Sequence, residues 1–268
     1  MKTTVKSITQ HLEKLVPLNL QESYDNAGLI VGNPDAPVNR VLLCLDSTED
    51  VIAEAIEKKC QMVIAHHPIV FKGLKKLNGS NYVERTVISA IKNDIAVYAI
   101  HTNLDNTLGG VNAKIMSKLG ITKELEILAP TKFNQEFEGI IGAGMIGLLE
   151  NTMEELEFLS MVKSRMGAGC IKHTKLLNKK IRSVAVCGGA GSFLLPKAIK
   201  ERADVFITSD FTYHQFFDAE GKILICDIGH YESEQFTHEV ISDMLANNFQ
   251  ELVIINSTIK TNPVKYFL

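Results

Sequence analysis

Met62-Val63-Ile64-Ala65-His66-His67-Pro68-Ile69 is the stretch on which the reading of this chain turns. Met62 to Ala65 is a short apolar run that reads as a buried strand. Two imidazoles end it, and Pro68 has no N–H with which to continue a ladder. In open α/β sheets, ligands bind just beyond the carboxyl ends of the strands. Neighbouring side chains on extended backbone point to opposite sides, so a His-His pair at a strand end offers one nitrogen to each of two metal ions. Two polar loop residues, one of them capping the strand, are the competing reading. What else converges at that point decides between them.

Working outward, a rhythm surrounds the stretch. Upstream, Val41 to Leu45 is an apolar run ending in Asp46-Ser47-Thr48, followed by a helix to Lys59 with a Ser or Thr cap and Glu49 and Asp50 in its first turn. Downstream, a Lys-rich loop (Phe71 to Lys76) leads to a helix over about Tyr82 to Lys92. The strand Ile95 to Ile100 ends in His101-Thr102-Asn103-Leu104-Asp105, and Gly109-Gly110 opens a helix to Leu119 that stops at Gly120. This βαβαβα order predicts a parallel sheet covered by helices. Ahead of it lie an amphipathic helix, with Val5, Ile8, Leu12 and Leu15 on one stripe and Pro17 at its end, and Asp25-Asn26, read as a turn before a strand.

The middle has another texture. Glu138 to Leu149 is Gly-spaced and strand-like, Asn151-Thr152 caps a predicted helix that stops at Gly167, and a strand lies near Cys170 to Lys175. The rhythm then returns. Val184 to Cys187 ends in Gly188-Gly189-Ala190-Gly191-Ser192, Val205 to Ile207 in Thr208-Ser209-Asp210, and Ile223 to Cys226 in Asp227-Ile228-Gly229-His230. Glu232 opens a helix to about Asn248, and Val253 to Ile255 is a last strand. The expected fold is α/β: two similar subdomains, 1–125 and 126–268, with mainly parallel sheets facing a central cleft.

The 268 residues suffice for a sizeable core. A net charge of −3 argues against nucleic acid or an anionic membrane as the main partner, and no apolar run reaches the roughly 18 residues of a membrane span. Residues 1 to 20 lack the continuous apolar core of a signal peptide. Cys44, Cys60, Cys170, Cys187 and Cys226 form no C-x-x-C pair, and three of them sit in apolar runs. They read as core residues of a cytoplasmic protein and not as a thiolate zinc site.

His66, His67, Asp105, His230 and Glu234 are imidazoles and carboxylates at three strand ends. His230 and Glu234, four apart, can meet on one helical face. Such a set suits zinc, iron or manganese. Five donors exceed one tetrahedral ion and suit two ions with a bridging carboxylate. Unrelated polar loop residues are the alternative. His214, beyond another strand end, is a candidate catalytic acid or base or else an ordinary loop histidine. Gly188 to Ser192 reads as a plain strand-to-helix connection or a phosphate cradle, and Lys72, Lys75 and Lys76 as a solvated basic loop.

Tyr24-Asp25-Asn26-Ala27-Gly28-Leu29, Ala65-His66-His67-Pro68, His101-Thr102-Asn103-Leu104-Asp105 and Asp227-Ile228-Gly229-His230-Tyr231-Glu232-Ser233-Glu234 resemble the Nif-three-like family, often labelled type 2 homologues of GTP cyclohydrolase I. The resemblance runs over essentially the whole chain. It implies two α/β subdomains, a dinuclear divalent-metal site and a ring-shaped homohexamer. The implied ligands are His66, His67, Asp105, His230 and Glu234, the last of them bridging. The function so implied is a metal-dependent hydrolase acting on a nucleotide such as GTP. A non-catalytic metal-binding scaffold, or a metal-handling or regulatory partner, is the alternative. His101 is expected to be an outer or structural histidine.

Overall fold

The computed structural model describes residues 2–131 and 140–267. The first helix, α1 (Val5–Leu15), starts from a capping box in which Thr4 and Ser7 exchange side-chain and backbone hydrogen bonds. It buries Val5, Ile8 and Leu12, the expected stripe. There follow β1 (Gly28–Val31), β2 (Arg40–Asp46), α2 (Glu49–Glu57), β3 (Met62–His67), α3 (Tyr82–Lys92) and β4 (Ala96–Ala99). Thr48 caps α2 by accepting from Val51 N, and Asn81 caps α3 by accepting from Glu84 N. The one-turn α4 (Thr102–Asp105) comes next.

Then come α5 (Val111–Lys118), β5 (Lys123–Thr131), β6 (Ile141–Glu154), α6 (Glu155–Arg165), β7 (Lys172–His173), β8 (Lys180–Ala190), α7 (Leu195–Lys200), β9 (Val205–Ser209) and β10 (Leu224–Asp227). Helices α8 (His230–Glu234) and α9 (Thr237–Ala246) and strand β11 (Val253–Asn256) complete the chain.

Two compact units result. The first, Met1–Leu104 with Thr237–Pro263, holds a five-stranded sheet in the order β1-β4-β3-β2-β11. All its pairings are parallel except β1 with β4. Strands buried on both faces explain the apolar runs: Val41, Leu42, Leu43, Met62, Val63, Ile64 and Ala65 are fully buried. The second unit, Asp105–Phe236 with Val264–Leu268, holds a six-stranded sheet, β5-β6-β8-β9-β10-β7. Here only β8-β9-β10 are parallel, and β5, β6 and β7 pair antiparallel. Its core gathers Leu128, Ala185, Phe206, Ile223 and Ile225.

Local departures from the expected elements have physical causes. Glu138 lies outside the described residues. The strand expected from there runs on to Glu154, because after a register shift Met153 and Glu154 pair with Ile181 and Lys180. Residues 151–152 are therefore strand, and α6 starts at Glu155 without a side-chain cap. The expected long helix from Glu232 is two helices. Between them Gln235 donates to Met166 O, and Phe236 lies under the Lys118 ammonium at 4.4 Å, both within the second unit. Residues 237–263, expected with the second subdomain, pack with the first unit instead. They are held by the parallel pairing of β11 with β2 and by Glu54 on α2, whose carboxylate accepts from Thr258 N (2.9 Å), Thr258 Oγ1 (2.7 Å) and Ser257 Oγ.

Candidate metal centre

In the first unit, β3 carries His66 and His67 to its carboxyl end. His66 is fully buried, and its Nδ1 lies 2.8 Å from Ile100 O. A carbonyl only accepts, so Nδ1 carries a proton and Nε2 is the nitrogen that a metal would take. His67 Nδ1 lies 2.7 Å from Asp46 Oδ1, its partner in the β2–β3 register. His101 Nδ1 lies 2.7 Å from Asp25 Oδ1. The rings of His66, His67 and His101 are 4.9 to 5.3 Å apart, and one nitrogen from each lies within 4.8 Å of the others. Three imidazoles, each with Nδ1 tied to an acceptor, form the carboxylate–histidine arrangement that fixes tautomer and ring orientation for a metal.

Asp25 is thus more than a turn former. Its side chain is fully buried; Oδ1 also accepts from Asn26 N (2.7 Å), and Oδ2 accepts from Thr102 N (3.1 Å) and the Thr102 hydroxyl. Burial alone would raise its pKa, but the bonds from His101 and Thr102 outweigh it and hold the carboxyl at about 2. His101, expected to lie outside the ligand set, is placed beside His66 and His67.

In the second unit, α8 begins at His230 after Gly229, whose φ is +95°. Its tight turn is set by buried Asp227, which accepts from Phe211 N (3.1 Å) and Gly229 N (3.2 Å) and pairs with Lys172 Nζ at 2.7 Å. His230 Nδ1 lies 2.6 Å from Asp210 Oδ2 and its Nε2 lies 3.1 Å from Oε2 of buried Glu234. Burial disfavours charge on the ring, yet the bonds to Asp210 and Glu234 win and push its pKa up to about 11. A tetrahedral ion with bonds near 2.0–2.1 Å needs donor atoms about 3.3 Å apart, which this nitrogen–oxygen pair nearly meets. Asp105 ends α4, its carbonyl accepting from Asn112 Nδ2 at 3.0 Å. Burial raises the Cys187 thiol pKa, and the nearby charges of Asp105 and Glu234 raise it further.

The glycines after Cys187 make room for Glu234. A Cβ on Gly189, at φ +62°, would fall 2.4 Å from Glu234 Oε1. The N–H groups of Gly188, Gly189 and Gly191 donate to Asn112, Ser233 and Thr208 side chains, so they are not aimed at a phosphate. His214 is exposed against the Tyr213 and Phe217 rings, and no candidate metal group among the described residues includes it. Lys72, Lys75 and Lys76 are exposed, and the five cysteines are free thiols. Among the described residues no helix is long and apolar enough to cross a membrane.

Sequence reasoning missed the outer carboxylates Asp46 and Asp210. Both close apolar strands, Asp46 as the last residue of β2 and Asp210 just after β9, the same signal that marked the candidate ligands. The donor set, imidazole nitrogen and carboxylate oxygen without thiolate, fits zinc, iron or manganese.

A family model described as Duf34/NIF3 (NGG1p interacting factor 3) matches residues 3–263. A Clostridium perfringens protein named GTP cyclohydrolase 1 type 2 homolog is 36% identical over 231 residues, covering 86% of each chain. The crystal structure of a Bacillus cereus protein related to NIF3 is similar with a TM-score of 0.92 at 24% identity, covering 99% of both chains, a likeness of fold. A Staphylococcus aureus crystal structure reaches 0.91 at 28% identity, also covering 99% of both.

Proposed function

The chain belongs to the Duf34/NIF3 family, and on that premise we propose that it binds two divalent metal ions and acts as a metal-dependent hydrolase on a nucleotide such as GTP. The observation that carries the reading is shared by four imidazoles: His66, His67, His101 and His230 all have Nδ1 on a carbonyl or carboxylate oxygen. Nε2 is then the nitrogen that each ring would turn to a metal, the atom that His230 holds 3.1 Å from Glu234. The reading takes His66, His67, Asp105, His230 and Glu234 as the residues that would hold the pair of ions. Five donors suit two ions better than one.

Divalent ions held there supply Lewis acidity and make water acidic enough to ionise near neutral pH. The chain's part is to hold its donors in place. Asp46 and Asp210 keep the His67 and His230 rings oriented, Asp227 sets the turn that delivers His230, and Gly189 leaves space for Glu234. His214 is the candidate acid or base for the organic substrate. GTP comes into the reading through the name carried by the bacterial relatives.

Elemental analysis of metal-replete protein should find two ions per chain; one or none overturns the dinuclear reading. Turnover of GTP and other nucleoside triphosphates should appear with metal and vanish with chelator. Two bound ions without turnover of any of them would overturn the hydrolase.

A further inference from the structure

The second unit holds a cavity of about 660 Å³ that the metal donors do not use. That volume lies in the range of small-molecule sites, roughly 300–1,000 Å³. Its buried end is apolar, with Ile223 fully buried and Phe216 beside Phe211 at 5.3 Å between ring centroids. At its open end stand Tyr213 and Phe217, 74% and 65% exposed, edge to face with centroids 5.5 Å apart. Two aromatic rings standing in water beside an apolar hollow suit a flat partner that covers them.

The rest of the lining gives that partner a charge. Lys172 and Lys175 border the same cavity. Lys172 is anchored through Asp227 yet keeps 59% of its side chain exposed, so its ammonium retains donors for a second anion. Glu220, the acid in the lining, is engaged by the ammonium of Lys222, which offsets its repulsion of an anion. Rings and cations together suit a planar heteroaromatic group bearing phosphate, because every base has a π-face to stack and a phosphate takes lysine as a point charge.

We infer that this cavity is a mononucleotide-binding site, with the base against Tyr213 and Phe217 and the phosphate toward Lys172 and Lys175. The site rests on the nucleotide part of the function proposed above and is independent of the metal part. Asp227 joins the two within one unit, since the carboxylate that holds Lys172 also sets the turn before His230.

Calorimetric titration of the full chain, in chelator, with guanosine 5′-monophosphate and with guanosine tests this directly. The nucleotide should bind one per chain and more tightly than guanosine. Phe217→Ala should weaken it about 5- to 150-fold, given stacking worth about 1–3 kcal/mol per base, and Lys175→Glu, which sets an anion against the phosphate, should weaken it as well; both positions are exposed, and the far-ultraviolet circular dichroism should be unchanged. No binding of the nucleotide at millimolar concentration, or equal affinity in wild type and both variants, overturns the site. So does absent binding with self-association that Phe217→Ala abolishes in light scattering, because a second copy then covers the rings. Because metal is absent, nucleotide binding lost in the variants supports the site even if no turnover is ever found. Turnover with undisturbed binding in both variants would sink the site and leave the hydrolase standing.

Discussion

Asp25→Asn replaces the buried carboxylate behind His101 with an isosteric amide, and no orientation of that amide suits its surroundings. With the oxygen kept at Oδ1, His101 Nδ1 and Asn26 N retain their acceptor, but the new NH2 faces Thr102 N–H. Turned over, the NH2 faces Asn26 N–H and forces His101 to accept at Nδ1, which puts its proton on Nε2. Either way one backbone N–H loses its acceptor, a cost of about 1–3 kcal/mol. An independent route gives a similar figure: the native pKa of about 2, against an ordinary 3.8, corresponds to about 2.5 kcal/mol at 1.36 kcal/mol per unit. Asp25→Asn should therefore destabilise the protein by about 2 kcal/mol in urea unfolding. Because the native pKa is depressed, the Asp25 contribution is complete above pH 3.8 and is lost as pH falls toward 2. Wild type should show that acid loss and the variant should lack it. Loosening His101 should also disturb the His66 and His67 rings that pack 5.3 Å from it, and so lower zinc affinity. A variant within about 0.5 kcal/mol of wild type, with the same acid limb and the same zinc affinity, would refute the role given to Asp25.

Glu234→Gln removes the anion held against His230; metal content should fall by at least one ion per chain while circular dichroism stays near wild type, and a variant that keeps both ions would show that this residue is not a ligand. Six chains of 29.7 kDa are expected in one particle, and a light-scattering mass of a single chain at micromolar concentration would exclude the homohexamer. Glu54→Gln should lower stability by about 3 kcal/mol, since the bonds from Lys58, Ser257 and Thr258 overcome burial and hold the carboxyl at about 2. That stability is complete above pH 4.5 and disappears in wild type as pH falls toward 2, and an unchanged acid limb in the variant would exclude the mechanism.

The parallel parts of the fold were legible because their strands are buried on both faces and appear as unbroken apolar runs. The same runs pointed to the proposed ligands, since His66, His67, Asp105, His230 and Glu234 are polar residues close behind them. The pairing of each outer carboxylate with its histidine was not legible in the same way. Asp25 is 76 positions from His101, and its neighbours Asn26 and Gly28 give a complete turn signature that needs no further explanation. Asp46 and Asp210 stand 21 and 20 positions from their histidines, separations that only sheet register and loop closure bring to hydrogen-bond distance. The length of β6 was hidden because its last residues, Glu150 to Glu154, are polar except for Met153 and mostly exposed, without the apolar pattern of a strand. The break after α8 was hidden because helical spacing continues through it, while Gln235 and Phe236 turn their side chains to Met166 and Lys118, far off in sequence.

The return of residues 237–263 to the first sheet sets an order of events on the ribosome. Strand β2 emerges early but cannot gain its neighbour β11 until more than two hundred further residues have been made. Glu54 likewise waits for Ser257 and Thr258. Residues 105–236, by contrast, form a continuous segment that contains every strand of the six-stranded sheet. Domains commonly fold as units in the order of synthesis, but here the later segment completes its sheet first. During that interval the earlier segment exposes an unpaired edge at β2, a row of N–H and C=O groups open to pairing with other chains. A nascent chain stalled before residue 253 is the species in which aggregation through that edge should concentrate.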